Sequence, residues 1–474
     1  LIPQTRKDEV RLIDMTIRML VEPQFNADVD LLFKTLKEES ERKKAMLVEA
    51  AKTLEVWELG MDDEEAAAAA LKLLSSAAKF GSFLESLGVE VPTKVSPRTG
   101  KDIPALAKTD EDFIALQEHE NPVVATAAGC RLDAKSTILQ TRIQAFLDAA
   151  SAHPMAKVPI PLKYYGADTT GRWSGWGYNP QNLPRVNPYN PRPSDALRKS
   201  LIAPRGYKVV VADLSGIELR VNHFLWKVPT SVQMFTNDPE KADLYKDFAS
   251  TLYDIPYDDV SKQQRQVGKV AHLGLGFGAG YKTFQTVAKL MGGVEITEDE
   301  SRDIVDKWRT QYYEITKGWR TCHSVLPIIM RGATGPAVDP WGMVTPVPEG
   351  LKTPKGIIRY PNLRTERNEE TGRSEFVYGR GRNKARIYAG KIDENIVQHL
   401  ARCVIADNAL TVQQLTGLVP ALMVHDELVY VVKEDEAVTV LEQVQAVMRT
   451  PPVWWPELVT WSEGDIADTY GDAK

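Results

Sequence analysis

Two short apolar runs, each interrupted by acidic residues and lying far apart in the chain, constrain the fold most. Residues 207–213 (YKVVVAD) are apolar almost up to their last position and read as a buried strand. Residues 421–432 (ALMVHDELVYVV) read as two short strands around a charged turn. Between them lie helical sequence (239–322), a Pro- and Gly-rich stretch whose short apolar runs suit hairpins (327–374), and a long amphipathic helix (384–417). So large an insertion between strands of one sheet predicts an α+β architecture rather than a doubly wound one, and no alternating strand–helix–strand units are visible.

Ahead of the strands the chain reads as all-helical. Residues 28–52 carry apolar residues at helical spacing among Lys and Glu, 66–70 are consecutive alanines, and helices resume over 110–149 after a Pro/Gly break at 92–104. Residues 156–193 are rich in Gly, Pro, Asn, Trp and Tyr without periodicity, a long loop of the kind that carries function. A length of 474 residues suggests roughly three domains. With 43% hydrophobic and 26% charged residues a large core is possible, and general disorder is excluded. No run of apolar residues is long enough to span a membrane. The first ten residues are charged where a signal peptide needs an apolar run, and residue 1 is Leu, which suggests a fragment or a trimmed chain. A net charge of −6 argues against a protein that coats nucleic acid non-specifically, but allows basic residues concentrated in one cleft. Cys130, Cys322 and Cys403 are too far apart for a metal motif and read as buried apolar fillers of a reducing compartment.

Three constellations carry chemistry. Asp213 ends an apolar strand, where a carboxylate must reach water or bind something positive; capping the next helix is the plainer alternative. His425-Asp426-Glu427 interrupts the second run where a turn would favour Gly, Asn or Pro; a solvated loop is again the plainer reading, but with Asp213 it supplies a second strand-end carboxylate for hard divalent cations. Arg265, Lys269, Leu273 and Phe277 recur at a spacing of four, on one face of a helix. Two cations followed by two apolar residues suit a nucleotide lying along that face, phosphates at the Arg and Lys end and base at the other; a helix simply ending in a Gly-rich turn is the alternative. Together the three describe phosphoryl transfer by two metal ions, with cations neutralising a triphosphate.

Residues 213–220 (DLSGIELR), 265–278 and 424–427 (VHDE) resemble, in order, spacing and flanking elements, motifs A, B and C of family A DNA polymerases, the polymerase I type, and most of all those of bacteriophages. The resemblance covers about 135–432, and more loosely the N-terminal third. It implies a right-hand polymerase fold with an antiparallel-sheet palm, helical fingers and a helical thumb. The implied division is 1–155 N-terminal helical region and thumb, 156–235 first part of the palm, 236–325 fingers, and 326–474 second part of the palm. It implies two Mg²⁺ ions held by Asp213, Asp426 and the Leu214 carbonyl. By the same resemblance Glu218 would exclude a 2′-hydroxyl, and Arg265 and Lys269 would contact the triphosphate, with Lys269 giving a proton to pyrophosphate. Leu273 and Phe277 would line the nascent base pair, and His425 and Glu427 would sit near the primer terminus. Arg172, in Thr170-Gly-Arg-Trp-Ser174, would read the terminal pair, with Gln181 and Asn182 as further DNA contacts. Glu394, Asn395 and Gln398 stand where the family places a template contact, and Lys135, Ser136, Thr137 and Arg142 would meet duplex phosphates.

This sequence departs from the family pattern at Leu273, often Phe or Tyr, at Phe277, usually Tyr, and at Tyr245, where a phosphate-contacting His is common. No set of acidic residues is spaced like that of a proofreading exonuclease, so the chain as given is expected to lack proofreading. Its expected partners are primed template DNA and dNTPs, with no membrane; it is expected to be a monomer, with accessory replication proteins left open, in the cytoplasm of an infected bacterial host. A single-subunit RNA polymerase is the rival reading, disfavoured by Glu218 and His-Asp-Glu; an inactive DNA-binding scaffold should have lost Asp213 or Asp426. His272, off the stripe, and the tryptophans Trp173, Trp176, Trp341, Trp454, Trp455 and Trp461 read as packing residues.

Overall fold

The apolar run at 207–213 becomes strand β1 (Tyr207–Leu214), one of the two inner strands of a four-stranded antiparallel sheet. Its neighbours are β2 (Leu422–Val424), β3 (Glu427–Lys433) and β4 (Ser462–Ala467), in the order β2-β3-β1-β4. Val209, Val210, Val211 and Ala212 are fully buried, which explains why β1 reads as continuously apolar instead of alternating. Helix α4 (Ala437–Met448) packs on β1 and β4. The computed structural model describes residues 7–96, 101–108, 110–153, 155–184, 195–369 and 372–473. It contains two compact units, the first made of Leu1–Phe25, Pro159–Asn182 and Ala203–Lys474, the second of Asn26–Val158 and Leu183–Ile202.

In the first unit, β1 is followed by α1 (Ile217–Leu225) and by the helices expected over 239–322, among them Leu244–Tyr253, α2 (Lys262–Leu275), Glu298–Gln311 and Tyr313–Ser324. His272 is buried at the centre of their packing, its ring 5.0 Å from that of Tyr312 and 5.4 Å from that of His223. Burial lowers its pKa to about 4, so it packs as a neutral ring, the structural role its place off the stripe suggests. The Pro/Gly stretch forms two three-stranded antiparallel sheets, Thr345–Val347 with Gly350–Thr353 and Gly356–Arg359, and Arg364–Arg367 with Ser374–Tyr378 and Ala385–Ile387. The second reaches into the segment expected to open the long helix, so that helix, α3, starts later, at Ala389–Thr416. Nor is α3 amphipathic: Ile392, Ile396, Leu400 and Val404 are buried, and so are the polar Asp393, Asn395, His399 and Arg402. A helix threaded through the interior buries its polar face too, provided each polar group finds a partner.

The second unit is helical. Helix Val29–Thr53 is capped by the Asp28 carboxylate on the Leu31 amide (2.9 Å), and Asp63–Ser75 opens on a capping box of Asp62 and Glu65. Ala66, Ala67 and Ala70 of the alanine run are buried in a core with Leu74, Phe80 and Phe113, where small side chains let helices approach closely. Of the long loop at 156–193, residues 185–193 lie outside the described residues; in the part described, Leu162–Lys163 pairs with Ser174–Gly175. Cys322 and Cys403 are buried and Cys130 is half-buried, all three free.

Candidate active site

Asp213 stands one residue before the end of β1, and Asp426 in the turn between β2 and β3. The two are drawn together by backbone pairing: Glu427 is opposite Asp213 in the ladder, and the Leu214 amide donates to the Asp426 carbonyl (3.0 Å). The β2–β3 turn consists of His425 and Asp426 alone, since Val424 pairs with Glu427. His425 sits at φ +54°, a region that favours glycine. Although His425 reaches solvent, the protein around its imidazole partly desolvates the ring and, with the charge of Arg172, lowers its pKa, against the opposing pull of Glu427. Glu427 belongs to β3 and is buried, with its Oε1 accepting from the Tyr470 hydroxyl (2.7 Å). Its carboxylate therefore faces the interior, bracing the strand under the turn, while His425 is exposed.

A cavity of about 310 Å³ opens beside the turn, lined by Arg172, Gln181, Glu218, Arg402, His425 and Asp426. Arg172 Nη1 donates to Glu218 Oε1 (2.8 Å) across it. Burial raises the pKa of the Glu218 carboxyl and Arg172 opposes, with Glu394 adding to the rise. Gln181 is buried and its amide donates to the Met423 carbonyl (3.1 Å), tying the loop to β2, whereas Asn182 is exposed. Trp173 is buried as a packing residue should be, but Trp176 is 46% exposed, a correction to the packing expectation: its Gly-rich neighbours leave nothing to cover it.

Helix α2 carries Arg265, Lys269 and Leu273 in line, with Lys269 and Leu273 exposed. Phe277 departs from the expected stripe. The helix ends at Leu275, and Gly278 at φ +87° turns the chain, so Phe277 lies in the turn. There its carbonyl abuts Gly390 of α3, where a Cβ would stand 2.0 Å from that oxygen. Arg265 donates through Nε to Asp243 and lies 5.3 Å from the centre of the Tyr245 ring. Burial raises the Tyr245 hydroxyl pKa, with Asp243 and Asp426 adding and Arg265 opposing, so it remains a donor. On α3, Lys391 and Gln398 both donate to Glu394 Oε1 (2.8 and 3.2 Å). Asn395 is buried, and its amide donates to the Tyr360 hydroxyl (3.2 Å) rather than reaching solvent. In the second unit, Lys135, Ser136 and Thr137 form the exposed link between helices Pro122–Lys135 and Ile138–Ser151, and Arg142 is half-buried, which lowers its pKa. Sequence reasoning missed His399 and Arg402; the signal was a pair of basic side chains one turn apart, set among the apolar Val397, Leu400 and Ala401.

The carboxylates of Asp213 and Asp426 with the Leu214 carbonyl would make an all-oxygen donor set, a chemistry suited to a hard cation such as Mg²⁺. Among the described residues no group of three or more His, Cys, Asp or Glu side chains could hold a metal by itself. Such a set would need substrate phosphates and water to complete the shell of a Mg²⁺ ion.

These elements define an α+β polymerase fold. A solved structure described as the POL domain of Pol1 from M. smegmatis in complex with DNA primer-template and dNTP superposes with a TM-score of 0.65 and 17% identity, over 95% of this chain and 68% of that one. The chain belongs to DNA polymerase family A, whose profile matches residues 48–324. The DNA polymerase of Bacillus phage SP02 is 26% identical over 65% of this chain and 52% of its own length. DNA polymerase I of Pseudomonas aeruginosa is 28% identical over 50% of this chain and 24% of its own. The matched region thus spans about half, or less, of these curated relatives.

Proposed function

We propose that the chain is a template-directed DNA polymerase that adds dNTPs to a primer 3′-hydroxyl and releases pyrophosphate in replication or repair. The observation that carries this is that the β1–β3 ladder brings Asp213, near the end of β1, beside Asp426 in the adjoining turn, next to the cavity spanned by Arg172 and Glu218. Asp213, Asp426 and the Leu214 carbonyl would hold two Mg²⁺ ions. When bound, these supply activation of the attacking hydroxyl and charge neutralisation at the leaving pyrophosphate. Arg265 and Lys269 bind the triphosphate, Lys269 donating a proton to pyrophosphate, and Tyr245 braces Arg265. Leu273 and Phe277 flank the base pair. Glu218, held by Arg172, occupies the space a 2′-hydroxyl would need. His425 and Arg172 meet the primer terminus, Gln181 and Asn182 the adjacent strand, and Glu394 with Gln398 the template side. The palm, fingers and thumb divide as 156–235 with 326–474, 236–325 and 1–155. The described chain has no helix long and apolar enough to cross a membrane. A monomer in the host-cell cytoplasm, acting on primed DNA alone or with accessory replication proteins, completes the reading.

Primer extension with Mg²⁺ tests it. Extension is expected with dNTPs and not with rNTPs, a mismatched 3′ end should stay unexcised, and Asp213→Asn or Asp426→Asn should abolish synthesis while retaining DNA binding. Full activity in either variant sinks the metal assignment, and equal use of rNTPs favours the RNA polymerase reading.

A further inference from the structure

The loop that carries Arg172 is gripped from behind by two side chains of α3. His399 Nδ1 donates to the Thr170 carbonyl (2.9 Å), while its Nε2 lies 3.0 Å from Thr353 Oγ1. Arg402 Nε donates to the next carbonyl, that of Gly171 (3.1 Å). The other end of the Arg402 guanidinium is bidentate on Glu9, Nη1 to Oε1 at 3.1 Å and Nη2 to Oε2 at 3.0 Å. Glu9 comes from the helix Lys7–Val21 and also accepts from the Tyr164 hydroxyl. The Arg402 side chain is 3% exposed, with the rings of Trp173, Tyr164 and Tyr165 around it at 4.9, 5.6 and 5.6 Å. Gly171 adopts φ +75°, and a Cβ there would stand 2.5 Å from the Tyr165 ring, so the loop has no slack on that side.

A buried ion pair is poor evidence for stability, because desolvation offsets most of the attraction; its better-attested use is to fix one arrangement. The arrangement fixed here is that of the peptide immediately before Arg172, whose guanidinium crosses the cavity to Glu218. We propose that Glu9 and Arg402 are positioning residues: Glu9 orients the Arg402 guanidinium, Arg402 with His399 clamps the Thr170 and Gly171 carbonyls, and the clamp aims Arg172 at the primer terminus and at Glu218. The proposal rests on the polymerase reading for the role of Arg172, but the clamp is observable without it. A planar guanidinium can serve the carboxylate and the carbonyl at once through its fixed fork, which a lysine ammonium cannot reproduce.

Two measurements on the full chain test this, using Glu9→Gln, which preserves shape, and Arg402→Lys, which preserves charge. In hydrogen exchange, the amides of Ala167 and Gly171, bonded to the Arg172 and Ala167 carbonyls at 3.0 and 2.8 Å, should exchange about tenfold faster in both variants. In primer extension, each variant should lose about tenfold or more in kcat/KM, with discrimination against a mismatched primer end weakened. Glu9→Gln added to Arg172→Ala should then cost nothing further, because both act through the same side chain. Unchanged loop exchange, or full additivity with Arg172→Ala, overturns the proposal. If the wild type extends no primer, the polymerase reading fails, and loop exchange alone decides the clamp.

Discussion

Lys269 is an exposed ammonium on α2, and its proposed work is done on charge that develops as pyrophosphate leaves. Lys269→Ala is therefore expected to lower turnover by about a hundredfold, the scale seen when one preorganised charge partner is removed. Primer-template affinity, measured in the same preparations, should stay within about twofold. His425 presents a different balance, because its φ of +54° strains a residue with a Cβ. His425→Gly should leave Tm unchanged or raise it, relieving about 1 kcal/mol of strain, while primer extension falls. A loss of both would mean that the imidazole holds the turn itself. Asp213 and Asp426 were legible in the sequence because each interrupts an apolar run and so needs a reason. Glu427 was not: it reads as the third member of a polar triplet. The ladder makes it a strand residue with its carboxylate inward, and its partner, Tyr470, arrives from a segment with no signal near the motif.

The helices around α2 meet through glycine. A Cβ at Gly268 would stand 2.0 Å from the Tyr245 carbonyl oxygen, which is backbone and cannot swing away. Gly268→Ala should push α2 off the Leu244–Tyr253 helix, costing about 1–3 kcal/mol in thermal or denaturant unfolding, and should raise KM for dNTP as Arg265 and Tyr245 lose register. Helix α3 makes a second test. Asp393 is buried, accepts from the indoles of Trp226 (2.8 Å) and Trp319 (3.1 Å), and has its pKa raised by burial to about 7, the two indoles opposing. A carboxyl that binds its proton more tightly folded than unfolded stabilises the fold less as pH rises between the two pKa values. The Tm of the wild type relative to Asp393→Asn should accordingly decline from about pH 4 to pH 7, and a flat difference would place the titration elsewhere. The start and the character of α3 each depart from the sequence expectation for a reason of its own. Its first expected residues pair as a sheet strand at Ala385–Ile387, and its polar positions, which look solvent-facing in one dimension, are bonded inside.

Over the whole chain, a net charge of −6 coexists with a proposed DNA partner, so the attraction has to be local. Primer-template affinity should fall steeply with salt, by roughly tenfold or more between 50 and 200 mM, as bound phosphates release counterions; a salt-independent Kd would contradict that. The α+β class was legible because strand-like runs were few, continuous and widely separated. The division into two units was less so, since residues 26–158 and 183–202 form one body although the residues between them in the sequence belong to the other. The sheet at the centre of the site also sets an order of events during synthesis. β1 leaves the ribosome long before β3, and β4, the strand on its other edge, follows later still. Both edges of β1 stay open until β3 emerges, and one edge stays open until β4 does, a template for pairing with the wrong chain. A nascent chain should thus become protease-resistant around β1 only after β4 has emerged, making completion of the C-terminal strand the step that ends its exposure to aggregation.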